Sequence, residues 1–237
     1  MLHDLLEVLF PRHCPICGRR LLPSESCVCL DCQLRLPRVH AERQGNEAET
    51  RMFGRIPFEH GGSFCYYSSQ GMTSAIIQKA KFHDMPWLNS QFARLLAQEL
   101  RQSQPMGQEG PAGVWPFDVD CIVPIPVHWY RRLTRGYNQS SAIAEALARE
   151  WNLPVVQGCL VKKVYTASQV GLHGDARLHH VKGSFTVHHP ERLQGRHILL
   201  VDDVLTTGAT LTAAYEALQA AVSDFRISFL TLSLTTN

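Results

Sequence analysis

Residues 198–211 read ILLVDDVLTTGATL, and this stretch constrains the fold more than any other part of the chain. An apolar strand is predicted over 197–203, ending in two adjacent acids, Asp202 and Asp203. A loop of small residues follows, Thr206, Thr207, Gly208, Ala209 and Thr210, and then a pattern that predicts a helix over 208–221. A strand, a tight loop and a helix in this order put the loop at the carboxyl edge of a parallel sheet. That edge is where α/β folds take up ligands.

The residue types suggest which ligand. Gly208 lets the backbone come close and adopt a positive φ. The amides of 206–210, together with a helix N-terminus, favour a phosphate, and the threonine hydroxyls add donors. Side-by-side carboxylates repel one another and need hydroxyl or metal partners. A ribose diol offers two hydroxyls, and a diphosphate brings Mg²⁺. The competing reading is a strand ending in a polar turn before a capped helix. It accounts for the glycine but not for the acid pair joined to TTGAT.

The rest of the chain supports an alternating α/β domain. GGSFCYY at 61–67 is strand-like, and 70–82 and 88–102 have helical spacing. Residues 103–117 are rich in Gly, Pro and Gln and read as a surface loop. A strand is predicted over 120–126, a helix N-capped by Asn138 through 150, strand-like residues at 155–164 interrupted by Gly158, and a last strand over 226–233. Such alternation implies parallel strands with crossover helices. The tract ERQGNEAETR at 42–51 reads as a linker or long loop. The expected division is a module at 1–40, a linker at 41–60 and the main domain at 61–237.

Five of the eight cysteines fall within residues 14–32. Cys14 and Cys17 form one C-x₂-C pair, and Cys29 and Cys32 a second, with eleven residues between them. Four thiolates suit a closed, structural Zn²⁺ site. Cys27 competes with Cys29 for the fourth position. Cys65, Cys121 and Cys159 lie in strand-like segments and are expected in the core. His173, His179, His180, His188 and His189 have no acidic or cysteine neighbours at ligand spacing, so loop positions suit them better than a metal. The net charge of +2 gives no strong case for nucleic acid, although Arg12, Arg19, Arg20 and Arg35 lie near the cysteines. No run reaches the roughly 18 apolar residues of a membrane helix. The N-terminus MLHDLLEVLF lacks a basic leader and reads as a short amphipathic helix stopped by Pro11, so no membrane insertion and a cytoplasmic location are expected.

The loop at 198–211 resembles the 5-phosphoribosyl-1-pyrophosphate (PRPP) motif of type I phosphoribosyltransferases. Over nearly its whole length the chain resembles the ComF (competence protein F, GntX-like) family. The resemblance rests on the cysteine pairs, Lys79-Ala80-Lys81-Phe82, Val123-Pro124-Ile125-Pro126, Arg135-Gly136-Tyr137-Asn138-Gln139, Thr166, Gln169, Arg177 and the PRPP loop. It implies a type I phosphoribosyltransferase, Rossmann-like parallel sheet flanked by helices, with a small N-terminal zinc ribbon. It implies that Asp202 and Asp203 hold the ribose hydroxyls and that Thr206, Thr207, Gly208, Ala209 and Thr210 hold the 5′-phosphate. Pro124, Ile125, Pro126, Arg131, Arg132 and Arg135 would form the pyrophosphate loop, and 164–178 a loop that closes over the substrate. It assigns zinc to Cys14, Cys17, Cys29 and Cys32, favouring Cys29 over Cys27. The chain departs from the family pattern at His180, at Ala221-Val222-Ser223 and in its last residues, LTLSLTTN.

Two functions follow as expectations. One is a Mg²⁺-dependent phosphoribosyltransferase with an unspecified acceptor, linked to DNA uptake or use of external DNA. The other is a non-catalytic module of the DNA-uptake machinery that senses PRPP or a nucleotide, or binds single-stranded DNA.

Overall fold

The computed structural model describes residues 11–68, 73–74, 87–103, 118–127, 137–162 and 183–236. The expected helix at the N-terminus, nearly all of that over 70–82 and of the 103–117 loop, the closing loop at 164–178, and Arg131, Arg132, Arg135, His173, His179 and His180 lie outside these residues.

The apolar run becomes β5 (Arg196–Leu205), two residues longer at the carboxyl end than the sequence suggests. It is paired on both edges. On one side lies β2 (Cys121–Pro124) and on the other β6 (Phe225–Thr235), both parallel to it. Beyond β6 lies β1 (Gly61–Tyr67), again parallel, which gives the order β1-β6-β5-β2. Residues 154–156 extend the sheet past β2, through Ile122 N–H to Pro154 O at 2.9 Å and Val156 N–H to Ile122 O at 2.8 Å. A two-stranded antiparallel ribbon, β3 (Leu160–Lys162) with β4 (Phe185–Val187), stands apart from this sheet.

Alternate residues of β5 serve two cores, as the pleat requires. Leu199 and Val201 pack with α3 (Trp87–Gln102) and α4 (Gln139–Trp151). Ile198 and Leu200 pack with α5 (Ala209–Ala221) and with Phe185 of β4. Helices thus cover both faces of a parallel sheet, and this explains the unbroken apolar run Ile198–Val201 of β5. Asn138 caps α4 by accepting from Ser140 N–H at 3.2 Å, and Asn152 ends it at φ +54° in the left-handed region.

The tract at 42–51, expected as linker, contains a helix. This is α2 (Glu47–Met52), preceded by α1 (Leu30–Arg35) in the cysteine module. Asn46 caps α2, accepting from Ala48 and Glu49 N–H while its Nδ2 donates to Gly61 O at 2.8 Å. Ala48 and Met52 are wholly buried in the core shared with α5. Among the described residues, the cysteine module likewise shares its core with the sheet. Cys14, Val28, Cys29, Cys32 and Leu36 belong to the same apolar cluster as Leu96, Leu199 and Leu230.

One buried polar group sets a pH dependence. His197 is 0% exposed; its Nδ1 faces Asp118 Oδ2 at 3.2 Å and its Nε2 meets Ser228 Oγ at 2.8 Å. This Asp-His-Ser sequence of contacts resembles a hydrolase triad, but it lies inside the sheet at the amino end of β5, and Ser228 is also fully buried. Burial lowers the His197 pKa below its ordinary value, only partly opposed by Asp118. A base held neutral in the fold contributes stability above its unfolded pKa of about 6.5 and loses it as pH falls below that value. The expected result is a urea midpoint that declines from pH 7 toward pH 5. His197→Gln should flatten that decline, as measured by urea titrations at each pH.

Candidate functional site

The chain reverses its direction of travel across the sheet between β2 and β5. From β2 it moves outward through α4 to 154–156, and from β5 it moves the other way through α5 to β6. A crevice opens at the carboxyl ends of such a strand pair, and this is where open α/β sheets bind ligands. Asp202, Asp203, the 206–210 loop, the N-terminus of α5 and the start of α4 all meet here.

Asp202 is fixed by α4. Ser140 Oγ donates to Asp202 Oδ1 at 2.9 Å, and the Asp203 N–H donates to the same oxygen at 2.9 Å. Ser140 is itself buried at the first turn of α4. The end of β5 is clipped to β6 by hydroxyls, with Ser233 Oγ donating to Asp203 O at 3.2 Å and Thr235 Oγ1 to Leu205 O at 3.4 Å. Both acids are partly exposed at this edge.

Gly208 opens α5 at φ +82°, ψ −3° and offers no side-chain cap itself, while Thr207 Oγ1 accepts from the Ala209 N–H at a long 3.4 Å. A Cβ at Gly208 would sit 2.4 Å from Met52 Sδ, and Met52 is fully buried. Gly208→Ala should therefore cost roughly 2–4 kcal/mol, combining a left-handed backbone with overpacking. A shift of the urea midpoint of that size at unchanged m-value is the expected reading.

Of the expected pyrophosphate loop, Pro124, Ile125 and Pro126 leave β2 beside Asp202's strand, with Ile125 N–H on Val201 O at 2.8 Å. The opposite flank returns at Asn138, whose Nδ2 donates to Ile125 O at 3.2 Å. A cleft of about 510 Å³ lies between the exit of β2, the start of α4 and β3; Tyr137, Glu145, Gln157 and Lys162 are among its lining. Gln157 Nε2 donates to Glu145 Oε1 at 3.1 Å, so part of its polar wall is internally paired.

Two features of the site escape sequence reading. Ser140 on Asp202 is one. The other is α2 beneath the loop. A local signal for α2 exists, since Asn46 followed three residues later by Glu49 is a capping pattern. Glu49 does reach back, accepting Gly45 N–H at 2.6 Å and Gly61 N–H at 3.0 Å.

The second cluster is at the cysteine module. The sulfurs of Cys14, Cys17, Cys29 and Cys32 all lie within 4.8 Å of one another, with Cys17 and Cys29 at 3.6 Å. A tetrahedral ion with bonds of about 2.3 Å sets sulfurs roughly 3.8 Å apart, so this donor set fits zinc or a metal of similar preference. Four thiolates fill the coordination sphere and leave no open position. Cys27 is buried outside the cluster, and burial pushes its thiol up to about 11. Burial also raises Cys29 and Cys32, which a bound cation would reverse. At Cys14 burial opposes ionisation, yet the N–H groups of Cys17, Cys29 and Ile16 bring the thiol down to about 7. Buried Glu25 holds the module together, accepting Leu22 and Leu30 N–H at 2.7 Å each and pairing with Arg19 at 3.0 Å. Arg12 donates to Glu25 O at 3.1 Å, and Arg35 pairs with Asp31 at 3.2 Å. Cys65, Cys121 and Cys159 are buried, while His188 and His189 are exposed, His189 beside Glu191. No described helix is long and apolar enough to cross a membrane.

A parallel sheet with an acid pair and a glycine loop at its crevice has the layout of a ligand-binding α/β domain. The sequence profile of the phosphoribosyl transferase domain matches residues 138–231, spanning α4, β5, α5 and most of β6. Competence protein F of Haemophilus influenzae is 30% identical over 139 residues, and DNA utilization protein YhgH of Escherichia coli K12 is 32% identical over 139. The aligned part covers 58% of this chain and 58% and 57% of those proteins, so the chain spans little more than half the length of these relatives. Competence protein ComFC of Bacillus subtilis is 25% identical over 219 residues, covering 90% of this chain and 76% of that one. The chain is thus similar to these competence and DNA-utilization proteins, and its parallel sheet flanked by helices is a type I phosphoribosyltransferase-like fold.

Proposed function

We propose that this chain binds PRPP with Mg²⁺ and transfers its phosphoribosyl group to a nitrogen acceptor, in the service of DNA uptake or the use of external DNA. The observation that supports this most is the meeting of Asp202, Asp203 and the 206–210 loop with the N-terminus of α5 in one crevice. The similarity to proteins called competence protein F and DNA utilization protein supports the cellular role.

In this reading the 5′-phosphate sits on the amides and hydroxyls of 206–210, and Asp202 and Asp203 accept from the ribose hydroxyls. Mg²⁺ carried in with the diphosphate would supply charge neutralisation for the leaving group. Pro124, Ile125, Pro126 and the arginines at 131, 132 and 135 are the proposed diphosphate side. The acceptor's lone pair forms the new bond to C1, the C1–O electron pair departs with diphosphate, and the acceptor's proton passes to solvent. Positive charge builds on the ribose during this exchange, so the protein's contribution is positioning and electrostatic. Zinc at Cys14, Cys17, Cys29 and Cys32 is structural. Reduced thiols of this kind suit the cytoplasm. Direct binding of single-stranded DNA by the ribbon has less support, because Arg12, Arg19 and Arg35 are engaged within the module.

The test is diphosphate release from PRPP with Mg²⁺ and a panel of bases and amines. Acceptor-dependent release is the expected result. Saturable PRPP binding without release for any acceptor would overturn catalysis and leave a PRPP or nucleotide sensor.

A further inference from the structure

Arg51 lies far in sequence from the phosphate loop but is built into it. Its Nη1 donates to Thr206 O at 3.1 Å, Thr235 O at 2.6 Å and Thr235 Oγ1 at 3.2 Å, and its Nη2 pairs with Glu47 at 3.0 Å. The side chain is 11% exposed, so these bonds are made largely out of water and hold the guanidinium in one orientation. Met52, the next residue, closes the space under Gly208.

The contact on Thr206 has a geometric consequence. The Thr206 carbonyl and the Thr207 N–H belong to one planar, trans peptide unit and point in opposite directions. With the carbonyl turned to Arg51, the Thr207 N–H is turned away from α2, toward the opposite side of the loop. An anion cradle needs amides on one side and carbonyls on the other. We infer that Arg51 is a positioning residue that orients the Thr207 amide for a 5′-phosphate, with α2 as the floor of the loop. The role rests on the PRPP reading above. Arg51 does not touch the phosphate; it acts through the peptide it holds. Its charge also favours an anion in the loop, screened by Glu47.

The test compares Arg51→Met with wild type, using ribose 5-phosphate and Mg²⁺-diphosphate as separate probes. The expected result is a roughly 10- to 100-fold weaker affinity for ribose 5-phosphate, the effect of misaligning charge-assisted donors. Affinity for Mg²⁺-diphosphate should change less than about twofold, since that ligand uses the β2 exit. Arg51→Lys, which keeps the charge but not the fork, should recover part of the loss and serves if Arg51→Met does not fold. Equal losses for both probes would mean a general structural defect and overturn the positioning role, as would undiminished ribose 5-phosphate binding. Hydrogen exchange at Thr207 in the ligand-free proteins separates this inference from the PRPP reading. Faster exchange in Arg51→Met supports the hold of Arg51 on the Thr206–Thr207 peptide; if wild type binds neither probe, the PRPP reading fails and the phosphate part of the role fails with it. Unchanged exchange overturns the role in either case.

Discussion

The double variant Asp202→Asn, Asp203→Asn is expected to lose PRPP affinity roughly 100-fold while keeping its thermal midpoint within a few degrees. The two halves of this expectation have separate causes. A hydrogen bond to a charged group is worth about 1.5–3 kcal/mol, and neutralising two acceptors forfeits about 3 kcal/mol, close to a hundredfold. The internal contacts survive, because Ser140 Oγ and the Asp203 N–H both donate to one oxygen of Asp202. An asparagine oxygen accepts the same bonds in the same volume. Isothermal titration and a melting curve read the two halves. Undiminished affinity would place PRPP elsewhere, and a collapse of the midpoint would make the acids structural.

The second large effect concerns the cysteine module. Treatment with a strong chelator is expected to destabilise the whole described domain, not only residues 14–32. Metal-binding free energy is folding free energy where the site does not survive unfolding. Cys14, Cys29 and Cys32 are at most 3% exposed and share a contiguous core with Leu96 of α3, Leu199 of β5 and Leu230 of β6. A loss of even about 4 kcal/mol lowers the midpoint of a chain this size by roughly 8–16 °C. Cys29→Ser should mimic chelation, and Cys27→Ser should change zinc content little, since Cys27 lies outside the cluster. A zinc stoichiometry near zero in native protein would remove the ribbon from the account.

Much of this architecture was legible in the sequence because its signals are local. The apolar run into Asp202 and Asp203, the glycine at 208 and the Asn138 cap each declare themselves within a few residues. The pairs C-x₂-C do the same, and the family resemblance already favours Cys29 over Cys27; the sulfurs that cluster are those of Cys14, Cys17, Cys29 and Cys32. What was illegible depends on contacts across the chain. β1 pairs with β6 although about 160 residues separate them, and Ser63 meets Thr231 through their hydroxyls. The polar tract ERQGNEAETR has the composition of a linker, and a six-residue helix is too short to announce itself by periodicity. Its meaning lies in Met52 under Gly208 and Arg51 on Thr206, neither of which has a sequence signature. Ser140 is similar: a small polar residue in a helix's first turn is ordinary until Asp202 is seen beside it. The acceptor is illegible for another reason. The 510 Å³ cleft mixes Tyr137, Glu145, Gln157 and Lys162, a lining that selects no single chemistry.

The central claim is that the crevice holds PRPP. The most direct measurement is calorimetric titration of the zinc-loaded protein with PRPP in the presence of Mg²⁺, repeated with saturating ribose 5-phosphate. Saturable binding near one equivalent, competed away by ribose 5-phosphate, is the expected result. A titration with no saturable heat, supported by no protection of residues 205–211 from hydrogen exchange at millimolar PRPP, would contradict it.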